Sequence, residues 1–73
     1  MTLRELLGKV IYSTRIEVYE EDPKDFDKMR RIGQAMSENM LLHGGESLLD
    51  REVNFFSPHI DAKGIFIAVA LES

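Results

Sequence analysis

Apolar residues along the chain recur at two spacings, and each predicts its own kind of element. Leu3, Leu6, Leu7 and Val10 fall at i, i+3, i+4 and i+7, which aligns their side chains on one helical face. Thr2 stands three positions before Glu5 in a capping-box pattern, and Gly8 weakens the following turn, so a short helix is expected over residues 3–9. Arg15-Ile16-Glu17-Val18-Tyr19-Glu20 then alternates with period two, as a strand with one buried face does. After Asp22-Pro23, a strong N-cap and a residue suited to the first helical position, Phe26, Met29, Ile32, Gly33, Met36 and Met40 follow at spacings of three and four. This run predicts an amphipathic helix over residues 23–42, stopped by Gly44-Gly45. Gly33 within it weakens a helix by about 1 kcal/mol relative to alanine, which suggests a closely approaching backbone.

Leu48-Leu49-Asp50 reads as a turn and Glu52–Phe56 as a second strand, ended by Pro58. Ser57 to Gly64 reads as the exposed loop of an antiparallel hairpin, longer than the two-residue minimum. In the last strand, Ile65, Ile67, Val69 and Leu71 alternate with Phe66, Ala68 and Ala70, so both faces are apolar and a central position is expected. The elements in order, α-β-α-β-β, predict an α+β domain. Its three-stranded antiparallel sheet has the last strand in the middle, and the long helix serves as a split-βαβ crossover packed on one face.

Length narrows the picture further. Seventy-three residues make one domain, and folding at that size buries only roughly 60% of the surface of the extended chain. With no cysteine, neither a disulfide nor a thiolate metal site can supplement the core, which leaves packing and association. The short first helix is too small to cover the whole sheet face opposite the long one. The row Phe66, Ala68 and Ala70 is therefore the expected interface of a homodimer. No apolar run approaches the roughly 20 residues of a membrane span, and the N-terminal residues do not read as a signal peptide, so a cytoplasmic, membrane-free protein is expected.

A formal charge of −4 disfavours direct nucleic-acid binding and favours a protein partner with a basic surface. Glu17, Glu20, Glu21, Asp22, Asp25 and Asp27 concentrate that charge at one corner, where they either steer such a partner or complement a helix N-terminus and solvate a strand. Lys24, Lys28, Arg30 and Arg31 fit an exposed helix face paired with Asp27 and its neighbours. Met29, Met36 and Met40 form either an adaptable binding stripe or core.

Catalytic signals are sparse. His43 with Glu46, and His59 with Asp61, have the donor types of a divalent-metal site without a diagnostic spacing. Ser57, His59 and Asp61 are the residue types of a hydrolytic triad, but neighbours in one loop are not expected to converge on a proton path. Gly44-Gly45-Glu46-Ser47 lacks the pattern of a phosphate-binding loop. No catalytic residue, metal or cofactor is assigned.

Through Thr2-Leu3-Arg4-Glu5-Leu6-Leu7, Ile16-Glu17-Val18-Tyr19 and Leu49-Asp50-Arg51-Glu52-Val53, the chain resembles small uncharacterised proteins encoded by phages and prophages of Gram-positive bacteria. The resemblance touches the two ends and leaves out the long helical segment. It implies an accessory or inhibitor protein that binds a host or defence component. The expected function is thus a non-enzymatic protein-interaction module, with Glu17, Glu20, Glu21, Asp22, His59 and Ile60 toward the partner. The alternative is a small-ligand or metal-binding domain whose site, around His43, His59 and Asp61, forms between subunits.

Overall fold

The computed structural model describes residues 1–10, 13–22 and 24–72, and leaves the side chains at 22 and 25–27 outside the description. In chain order the elements are α1 (Leu3–Leu7), β1 (Arg15–Asp22), β2 (Asp25–Met36), α2 (Ser37–His43), α3 (Glu46–Leu49), β3 (Val53–Asp61) and β4 (Gly64–Leu71). The strands form one mixed sheet in the order β2-β1-β4-β3. β1 is antiparallel to β2 and parallel to β4, and β3 is antiparallel to β4.

α1 forms where the capping signal lies. Thr2 Oγ1 accepts the Glu5 N–H at 3.2 Å, and Glu5 Oε1 accepts the Thr2 N–H at 3.1 Å, so two otherwise unpaired donors are satisfied reciprocally. Its Leu3, Leu6 and Leu7, with Met40 of α2 and Leu49 of α3, close over Ile16 and Val18 of β1 and Val69 and Leu71 of β4. The three short helices thus lie on one side of the sheet, and this single layer contact is the core.

The long helix expected over 23–42 does not form. Its first twelve positions after residue 24 are strand β2, and only Ser37–His43 is helical. β2 pairs along β1, with Val18 opposite Gly33 and Tyr19 opposite Arg31, so Ile32 is an extra residue that bulges the strand. That bulge breaks the period-two alternation and leaves apolar residues at spacings that also suit a helix. Pairing wins because β1 would otherwise be an edge and because β2 brings cations to β1's carboxylates. Arg30 Nε donates to Glu20 Oε1 at 2.9 Å, and Arg31 lies 3.6 Å from Glu17. Gly33 therefore meets no close backbone; a Cβ there would find nothing within 4 Å. The expected helix-starting proline, Pro23, lies outside the described residues.

The three-stranded, split-βαβ expectation is corrected accordingly. The last strand is internal and antiparallel to β3, as expected, but it runs parallel to β1, and the fourth strand occupies the other side of β1. The expected loop from Ser57 to Gly64 is mostly strand. β3 runs through Pro58, which an edge strand tolerates, and Asp61 pairs with Gly64 across a two-residue turn. Gly64 sits at φ 113°, where a side chain is strained, and Asp61 Oδ1 accepts the Lys63 N–H at 2.8 Å inside the turn. Leu48 and Leu49, read as a turn, lie in α3.

Candidate functional site

Among the described residues the second sheet face carries no helix, and strand register fixes what it displays. The core side takes Ile16 and Val18 from β1 and Ile67, Val69 and Leu71 from β4. Alternation therefore turns Arg15, Glu17 and Tyr19 of β1 and Phe66, Ala68 and Ala70 of β4 to the open side. Phe55, Ser57 and His59 of β3 stand opposite Ala70, Ala68 and Phe66, and Arg31, Gln34 and Met36 of β2 stand opposite Tyr19, Glu17 and Arg15. The face is a grid of three levels: Phe55-Ala70-Tyr19-Arg31, Ser57-Ala68-Glu17-Gln34 and His59-Phe66-Arg15-Met36.

The two alanines lie lower than their neighbours, so Ala68 and Ala70 floor a trough of about 350 Å³ walled by Tyr19, Met29, Phe55 and Phe66. Phe55 is 55% exposed, which is unusual for a phenylalanine within a strand and leaves the trough rim uncovered among the described residues. At one end the His59 ring stacks on Phe66, with centroids 5.4 Å apart, and His59 Nε2 lies 2.8 Å from Ser57 Oγ. The Arg15 guanidinium lies 4.7 Å from the Phe66 ring centroid and donates to Asp61 at 2.7 Å. That hydrogen bond, and then the one from the Lys63 N–H, hold the Asp61 carboxyl below its usual range.

At the other side Glu17 is buried on the open face at 6% exposure. The Tyr19 hydroxyl donates to Glu17 Oε1 at 2.7 Å. This bond, with burial, raises the Tyr19 phenol above its ordinary value, because ionisation would place two negative oxygens against each other.

The residues expected to meet a partner are distributed by this geometry. Glu17 is held by Tyr19 and Arg31 on the open face, whereas Glu20 lies on the helix side between Arg30 and Arg51. Hydrogen bonds from Arg30 and then Arg51 lower the Glu20 pKa, so this carboxylate serves the fold's own charge balance. Glu21 is half-buried, and the Asp22 side chain lies outside the described residues. His59 and Ile60 point to opposite sides of β3, with Ile60 79% exposed beside Ile65 on the helix side. Phe66, Ala68 and Ala70 share the open face as their alternation predicted.

Ser57 and His59 do converge, contrary to the loop expectation, because they are alternate residues of one strand. Asp61 turns instead to Arg15 and Lys63, so the three form no relay. His43 and Glu46 are exposed, at the end of α2 and the start of α3. Among the described residues no three His, Asp or Glu side chains converge on a metal-sized position, and no helix is long and apolar enough to cross a membrane.

Sequence reasoning overlooked Tyr19, Phe55 and Arg15. The period-two signal that placed Ile16 and Val18 inside placed Arg15, Glu17 and Tyr19 together on the other row, but a row of polar tips reads as solvent-facing until Ala68 and Ala70 are known to lie beside it. Comparison of the chain with protein-family models, with curated proteins and with solved structures finds no match in any of the three.

Proposed function

We propose that the chain is a non-enzymatic protein-interaction module whose contact surface is the open face of the sheet. The trough floored by Ala68 and Ala70 carries this reading. It is apolar, broad and shallow, and the ionisable side chains around it are already engaged: Glu17 by Tyr19 and Arg31, Asp61 by Arg15. A face of this kind offers apolar area to another protein, and the Ser57–His59 contact at its end has no carboxylate behind it, since Asp61 turns to Arg15. A phage-type accessory role, in which the bound protein is a host or defence component, rests on the sequence resemblance alone. A basic partner surface is supported by the net charge, while Glu17 and Glu20 are directed inward to arginines.

Site-specific photocrosslinking tests the assignment. A photoreactive benzoylphenylalanine replaces Phe55 on the open face or Leu42, which is 75% exposed on the helix side. In extract of producing cells, protein adducts are expected from position 55 and not from position 42. Adducts from 42 alone, or none from 55, would overturn the reading.

A further inference from the structure

The open face is complementary to itself, and we infer that its occupant is a second copy of this chain, packed face to face about a twofold axis parallel to the strands and midway between β1 and β4. The inference rests on the open face being the contact surface and names what it contacts. Rotation about that axis lays β1 over the partner's β4, and β2 over the partner's β3, at unchanged level along the strands. The registers then dictate the opposing pairs. Tyr19 meets Ala70 and Glu17 meets Ala68, so the long side chains of β1 enter the trough floored by alanines. Arg15 meets Phe66, and from the outer strands Arg31 meets Phe55 and Gln34 meets Ser57. Each pair sets large against small, guanidinium against ring, or amide against hydroxyl.

The other face-to-face twofold, perpendicular to the strands at the level of Ala68, is the poorer by charge. It would stack Glu17 directly on its own copy, whereas the parallel axis sets the two buried carboxylates about 4.8 Å apart laterally, each beside its own Arg31. It would also set Phe66 over Ala70 but Arg15 over Tyr19 and Arg31 over Met36, losing the Arg31–Phe55 pair between copies; the Arg15–Phe66 contact lies within each chain and survives either arrangement.

Sheet edges are poorer contacts than the face. Pro58 interrupts β3 as a donor, and the bulge at Ile32 with Lys28 and Arg30 disrupts β2. The face is four strands wide and about eight residues long, roughly 19 × 26 Å at standard strand spacing and rise, against about 800 Å² of accessible surface that each partner gives to a standard interface. Glu17 needs no donor from the partner, since Tyr19 and Arg31 already engage it. Arg15 keeps its ion pair with Asp61, while its Nε is buried without an acceptor among the described residues.

Sedimentation equilibrium at micromolar concentration reads the outcome. The wild-type chain is expected at twice 8.4 kDa, and Ala68→Arg, which places a cation in the trough, at 8.4 kDa with an unchanged circular-dichroism spectrum. A wild-type monomer overturns the self-pairing; with hetero-adducts still formed from position 55, the wider reading of the face stands. A dimer that survives Ala68→Arg overturns it as well. Should that variant misfold, the double variant Gln34→Cys, Ser57→Cys gives a second readout on the outer strands in a chain with no other cysteine, its two thiols three strands apart within one chain but opposed between copies. Two thiols on facing sheets about 10 Å apart are within reach of a short bismaleimide. A covalent dimer is expected, and a sedimenting dimer that does not cross-link overturns the arrangement.

Discussion

Tyr19 and Glu17 stand two residues apart on one strand, and the phenol of the first donates a 2.7 Å hydrogen bond to the carboxylate of the second. The bond supplies a donor to a glutamate only 6% exposed on a sheet face, with Arg31 3.6 Å away as its counterion. Removing the hydroxyl leaves a buried acceptor short of a donor.

Tyr19→Phe is therefore expected to lower unfolding stability by about 1–3 kcal/mol in urea titrations, the range for an unsatisfied buried group. The phenol's raised pKa has a defined sign. Its contribution is full below the ordinary value of about 10 and is lost as pH rises through the higher folded value. Spectrophotometric titration in a Tyr12→Phe background should place Tyr19 above that ordinary value; ionisation at or below it would contradict the pairing.

Acid should weaken the fold through the opposite sign. Glu20 and Asp61 have lowered pKa values, Glu20 from hydrogen bonds of Arg30 and Arg51 and Asp61 mainly from that of Arg15. Their contribution is present above the unfolded carboxylate range of about 3.9–4.3 and disappears as pH falls through the lower folded values. A Tm profile from pH 7 to pH 2 is expected to decline below about pH 4. Arg51→Met and Arg15→Met should each flatten the decline, and an unchanged profile in both would remove these pairs from the explanation.

Two methionines separate the strand from the helix that the spacing suggested. Met40 is 4% exposed in the core, whereas Met29 is 43% exposed at the trough wall of β2. Met40→Asp buries an unpaired charge and is expected to abolish the cooperative thermal transition, while Met29→Asp retains it. Equal loss in both variants would contradict their placement on different surfaces.

Two glycines test the turn and the edge. Gly64→Ala forces a Cβ onto a residue at φ 113° and should cost about 1–2 kcal/mol. Gly33→Ala meets no atom within 4 Å and should be neutral or add up to about 1 kcal/mol by narrowing the unfolded ensemble. Urea midpoints of the two variants moving in the same direction by similar amounts would count against the strand assignment at Gly33.

Short-range chemistry makes several elements legible in the chain alone. The Thr2–Glu5 cap starts α1, period two defines β1, the helix ending at His43 stops at Gly44, and a strand apolar on both faces, Ile65 to Leu71, takes an internal place. The same alternation already divided Phe66, Ala68 and Ala70 from Ile67, Val69 and Leu71. Residues 25–36 carry no such unambiguous local signal, because a bulge at Ile32 makes their apolar spacing fit a helix as well as a strand. Long-range packing settled them. The edge of β1 needed a partner, Glu17 and Glu20 needed cations, and Arg31 and Arg30 reach them only from an extended strand alongside. The parallel course of β4 beside β1 was likewise set at long range, and with it the alignment of Tyr19 against Ala70 and Glu17 against Ala68 that gives the open face its shape. Such pairings join residues some fifty positions apart, where the reward comes from burial and charge in the assembled sheet and leaves no periodic trace in either segment.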